Sequence, residues 1–216
     1  MFFTGGRTYG QSDYRSHSSS KIIQNMFISS GFSGLVGFIL KKIALGDGRR
    51  SSKYDALTLA NSILIGMVAI SGVVDDVQNW GAVLIGSIAA VFYVGAVFFL
   101  EFYKIDDPLE VFPVHGAGGI WGLIATGFFD NYQGALFAGA YKQGKFMGYQ
   151  IVGIVVIIAW VSLISFPAFY IMREINVLRV DKAVEEIGLD VAELGNVSDE
   201  FISAVNEAID AKDKVA

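Results

Sequence analysis

The sequence predicts an all-α, polytopic membrane protein, and three observations carry that prediction. Hydrophobic residues make up 53% of the 216-residue chain and charged residues 17%, where soluble domains average about 25% charged. Long stretches carry no charge at all. Five apolar segments, most close to the roughly 20 residues that a spanning helix needs, alternate with short polar connections. A mean hydropathy of +0.51 with this charge pattern excludes a disordered chain and a nucleic-acid binder.

The segments follow in order. Residues 1–24 are polar and read as an outer segment with the end of a preceding span; the Gly-rich start, without a basic stretch, is not a signal peptide. The first span covers about 25–40 and is short and Ser/Gly-rich. The second covers 56–74, the third 82–103 with Glu101 near its end, the fourth 111–129, and the fifth 146–172. The fifth is long enough to tilt or to project from the bilayer, and Pro167 inside it predicts a kink. The connections are 41–55, 75–81, 104–110 and 130–145. After Arg173 the acidic residues concentrate, and residues 173–216 read as a soluble tail whose second half has a weak amphipathic pattern (Phe201, Ile202, Val205, Ala208, Ile209).

Orientation follows from the basic residues. Eleven Lys and Arg fall on one side, among them Lys41, Lys42, Arg49, Arg50, Lys53 and Lys104, and five on the other. This places the C-terminal tail in the cytoplasm and the N-terminus outside. Trp80 fits an interfacial belt, Trp121 and Trp160 fit packing positions, and Glu101 fits a carboxylate reaching the cytoplasmic face.

The chain has no cysteine and two histidines, His17 and His115. There is no disulfide framework, thiol nucleophile or Cys-ligated metal, and no cofactor is expected. His115 lies about one turn inside the fourth span. Ionisable residues inside spans are rare and usually face a bundle interior. A neutral imidazole offers one donor and one acceptor, enough to receive an N–H from a substrate, relay a proton or bond a backbone carbonyl. The fourth span is rich in small residues (Gly116, Ala117, Gly118, Gly119, Gly122, Ala125, Gly127), which permit close helix packing. Asp106, Asp107 and Pro108 cap or break the chain before it and read as solvated loop residues. No intramembrane Asp or Ser/His arrangement fits a protease, so an enzyme is not expected.

Three stretches resemble the ammonium transporter family (Amt/Mep, related to Rh proteins). Asp106-Asp107-Pro108, then Val114-His115-Gly116 and Gly119-Ile120-Trp121-Gly122, are similar to the family pattern DDP…VHGxxGIxG. Asn61 to Ile70 (NSILIGMVAI) is similar to NGxLAGLVAIT, and Leu178-Arg179-Val180 with Gly188-Leu189-Asp190 to the LRV…GLD start of the family's tail. The resemblance implies an eleven-span subunit built from two inverted five-helix repeats and a long last helix, assembled as a trimer in the plasma membrane. This chain resembles the C-terminal half, with spans seven to eleven. The implied function is passage of ammonium and ammonia through a narrow apolar pore. The cation is recruited outside, passes Phe gates and is deprotonated, and ammonia moves past paired histidines. His115 matches the second histidine of the pair and Phe3 an inner gate phenylalanine; Asp106, Asp107, Pro108, Gly116 and Gly119 match the structural motif.

Departures from the pattern bear on function. The span that carries the family's first pore histidine is not in this chain, and His17 lies in a polar outer segment. Arg7 stands where the family has a vestibule serine, and a cation there repels ammonium. Ala192 replaces a phosphorylatable threonine and Leu194 a common histidine. The expected partners are ammonium or ammonia, the lipid bilayer, two further copies or a complementary half, and a cytoplasmic regulator at the tail. The competing reading is a non-transporting regulatory or degenerate subunit that pairs with a full-length homologue.

Overall fold

The computed structural model describes residues 15–45, 56–136 and 140–180 with a few tail positions from 184 to 205; side chains are described from 19 to 43 in the first helix and from 145 in the last. The described residues form helices and no strands. In chain order these are α1 (Arg15–Leu45), α2 (Ala56–Ile70), α3 (Asn79–Phe102), a π-helical segment (Phe112–Ala117) continuing into α4 (Gly118–Phe129), and α5 (Ala140–Glu174). Three stretches, Ser19–Ile43, Asn79–Phe102 and Lys145–Glu174, are long and apolar enough to cross a membrane, and Ala56–Ile70 is shorter.

Helix α1 is polar inside and apolar outside. Asn25, Ser29, Ser33, Gly37 and Lys41 recur every fourth residue and are all buried, which places them on one stripe of the helix. Phe27 (61% exposed), Leu35, Ile39 and Ile43 (73%) point away from the core. Water would favour the reverse arrangement. In lipid, apolar side chains belong outside, and small or polar residues form the helix contacts.

Close backbone approach explains the glycines on the facing helices. A Cβ on Gly66 of α2 would sit 2.7 Å from the carbonyl oxygen of Ser29, and one on Gly86 of α3 would sit 2.1 Å from that same oxygen. Helix α1 is therefore seated against both neighbours at Ser29, whose hydroxyl donates to the Gly66 carbonyl at 2.8 Å. Buried Asn25 donates to the carbonyls of Val74 (2.9 Å) and Val77 (3.0 Å). These lie in the turn from α2 to α3, where a helix end leaves carbonyls unmet. The apolar core between these helices includes Ile65, Ile70, Val73, Val74, Ile85 and Tyr93, all fully buried.

The chain divides into two compact units, one ending at Ile157 and one beginning at Ile158. In the second, the helix continues through Pro167 to Glu174. Its side chains are largely exposed, including Trp160, Phe166 and Phe169. Arg179 and Glu185 form an exposed ion pair at 2.5 Å.

Candidate functional site

The segment that carries His115 begins with a capped turn. The two oxygens of the Asp107 carboxylate accept the backbone N–H groups of Val111 and Phe112, each at 2.9 Å. A carboxylate there satisfies amides that have no partner within the helix and opposes the positive end of its dipole. The Asp107 carbonyl also accepts the Glu110 N–H at 3.0 Å. Asp106 and Pro108 are exposed. Of the predicted loop carboxylates, Asp106 is solvated, whereas Asp107 caps the helix.

Pro113 falls in the first turn of the π-helical segment, where its missing N–H removes little. The following residues sort into two faces. On one, a Cβ on Gly118 would meet Ile65 at 2.6 Å, and a Cβ on Gly122 would meet the Ala69 carbonyl at 2.9 Å. Trp121 is buried there, donates to the Ile85 carbonyl at 3.0 Å and stacks on Phe92 with centroids 5.2 Å apart. This face packs on α2 and α3, and Trp121 holds the packing position expected of it.

The other face carries Phe112, His115 and Gly119, spaced three and four residues apart. Phe112 is 47% exposed, His115 is exposed and Gly119 half-buried. A Cβ on Gly119 would meet nothing within 4 Å. Gly116 lies against the Phe112 ring, which a Cβ would approach to 2.7 Å, so its missing side chain lets an aromatic ring lie beside the His115 position. His115, Gly116 and Gly119 thus belong to one helix whose start Asp107 caps. Phe3 lies outside the described residues, as do Arg7, Ala192 and Leu194.

A second cluster was not visible as such in the sequence. Glu110 is 5% exposed and has φ +57°. Its carboxylate accepts from Lys41 Nζ at 2.6 Å, from Asn61 Nδ2 at 2.9 Å and from the Tyr93 hydroxyl. Lys41, counted above with the 41–55 connection, is inside α1 and 3% exposed. Burial pushes the Glu110 carboxyl up. Hydrogen bonds from Lys41, Tyr93 and Asn61, with the Lys41 charge, outweigh this and hold it below its ordinary 4.5. The sequence signal for the cluster was the four-residue register that puts Lys41 on the stripe of Asn25, Ser29 and Ser33.

This inside-out polarity and these apolar helices define a polytopic α-helical membrane protein. The chain belongs to the Ammonium Transporter Family, whose model matches residues 8–198. It is similar to ammonium transporter 1 member 3 of Solanum lycopersicum, 32% identical across 78% of this chain and 38% of that protein. A putative ammonium transporter of Synechocystis is 35% identical across 81% of this chain and 36% of its own length. Among solved structures, a sensor Amt protein matches with TM-score 0.73 and 29% identity, covering 88% of this chain and 45% of that one. Saccharomyces cerevisiae Mep2 matches with TM-score 0.67 and 25% identity, covering 84% and 40%. The chain therefore spans under half the length of these relatives. The two curated relatives are named as ammonium transporters and the first solved structure as a sensor of the Amt type.

Proposed function

We propose that this chain supplies one wall of an ammonium/ammonia path through the membrane, with His115 facing that path. It corresponds to the C-terminal portion of a transporter, with five spans, a cytoplasmic C-terminal tail, and assembly as a trimer or with a complementary half. The single observation that carries the reading is the polarity of the Phe112–Phe129 stretch. Gly118, Trp121 and Gly122 pack inward on the chain's own helices, while Phe112, His115 and Gly119 are turned the other way. An imidazole facing lipid is unfavourable, so that face needs a protein partner or a lumen.

The chemistry follows from desolvation. A bare cation meets a high barrier in a dry apolar passage, and neutral ammonia a much lower one. A neutral imidazole at the wall accepts an N–H, holds the nitrogen in line and offers a station for the released proton. Phe3 would serve as an inner gate phenylalanine of that path.

The test is uptake of labelled methylammonium by cells without their own ammonium transporters. They express the chain alone, the chain with the N-terminal half of a family member, or either with His115→Ala. Uptake that requires the complement and changes at least tenfold on His115→Ala supports the reading. Uptake indifferent to His115→Ala overturns the assigned role. No uptake in any combination, with suppression of a co-expressed full-length homologue, supports the regulatory subunit instead.

A further inference from the structure

Residues from three helices converge on one carboxylate at the entrance to the His115 helix. Lys41 comes from α1, Asn61 from α2 and Tyr93 from α3, and all three reach Glu110. Asn61 Nδ2 also donates to the Leu109 carbonyl at 3.1 Å, so the residue before Glu110 is tied as well. Glu110 itself holds φ +57°, a left-handed conformation that residues with a Cβ keep only when their surroundings fix it. Its carbonyl accepts the N–H of Val114 at 3.2 Å, and Val114 is the neighbour of His115.

A buried ion pair is a poor way to gain stability, because well-packed apolar residues of similar volume do as well or better. It is a good way to fix direction. Donors on separate helices leave the Glu110 carboxylate one orientation relative to the bundle. If Glu110 left that turn, the Val114 bond would be lost and the first turn of the helix would rewind. The residue that moves with it is His115.

We propose that Lys41, Asn61, Tyr93 and Glu110 are positioning residues: by locking the left-handed turn at Glu110 they set where the Phe112–Ala117 segment presents residue 115. The consequence for transport rests on the reading of His115 as a path residue. The placement does not.

The chain contains no cysteine, so His115→Cys places a single thiol at the position in question. Phe128→Cys, exposed near the far end of the same helical stretch, is the control. Alkylation by N-ethylmaleimide is followed in the detergent-solubilised full chain, in backgrounds carrying Tyr93→Phe, Lys41→Met, Lys41→Arg or Lys42→Met. Tyr93→Phe removes one hydroxyl, so a folded variant is available even where Lys41→Met does not yield one. Tyr93→Phe and Lys41→Met are expected to change the rate at residue 115 by about twofold or more and leave residue 128 unchanged. Lys41→Arg keeps the cation, Lys42→Met changes an exposed neighbour, and both should leave the rate at 115 within about twofold of its starting value. Equal changes at 115 and 128 make the cluster a general stabiliser and overturn the proposal. So does no change at either. The path reading fails by a different result, unaltered uptake in His115→Ala, which leaves the alkylation comparison intact.

Discussion

Lys41 and Glu110 illustrate how unevenly a buried ion pair responds to substitution. Removing one partner leaves the other charge in a dry environment. Lys41→Met should therefore cost about 3 kcal/mol, read as a lowered Tm of the detergent-solubilised protein. Replacing both, with Lys41→Met and Glu110→Leu, should recover most of that loss, because the desolvation of both charges disappears together. The pH dependence has a definite sign. Glu110 is held below its ordinary value of 4.5, so it binds its proton less readily folded than unfolded. Its stabilisation is fully present above pH 4.5 and is lost as pH falls through the lower folded value. The Tm difference between the native chain and Glu110→Gln should thus be constant from neutral pH down to about 5 and shrink below it. A difference that grew on acidification would contradict the hydrogen-bond arrangement at Glu110.

At the scale of helices, two contrasts separate packing from exposure. Gly86 faces the Ser29 carbonyl where a Cβ would lie 2.1 Å away, whereas Gly31 has nothing within 4 Å. Gly86→Ala must push α1 and α3 apart, for about 1–3 kcal/mol. Gly31→Ala, in mid-helix and open, should stabilise by a few tenths up to about 1 kcal/mol. Thermal unfolding of the two variants side by side checks both. Likewise Asp107→Ala should cost about 1 kcal/mol and speed hydrogen exchange at the Val111 and Phe112 amides, while Asp106→Ala should stay within about 0.5 kcal/mol. Legibility differed among these elements for physical reasons. The Asp107 and His115 positions stand in a recurring spacing, and that spacing is a sequence property. The buried stripe of α1 was harder to see because hydropathy averages over all faces: Asn25, Ser29 and Ser33 inside lower the value that Phe27 and Ile43 outside raise. Glu110 and Lys41 read as loop charges because Lys41 adjoins the exposed Lys42 and Glu110 follows the exposed Asp106 by four residues in a short polar connection. Only the crossing of α1, α2 and α3 brings them into contact.

For the whole molecule, the decisive question is what covers the Phe112, His115 and Gly119 face. The chain spans 38% of one curated relative and 45% of a solved one, and behind that face Gly118, Gly122 and Trp121 seat the helix on α2 and α3. If the path reading is right, the covering surface is another polypeptide and the face becomes a narrow lumen. Gly119 is the best reporter, because a side chain there meets nothing within 4 Å among the described residues. A cysteine at 119 should react readily with a bulky maleimide in the chain alone. With the N-terminal half of a family member bound, its rate should fall by about tenfold or more, because a wall across the face leaves a passage too narrow for a bulky reagent. A small reagent such as methyl methanethiosulfonate should be slowed far less. Equal protection from both reagents would mean a sealed helix–helix contact rather than a passage, and His115 would then be a packing residue. Protection from neither would mean that the face meets detergent or lipid even in the assembly.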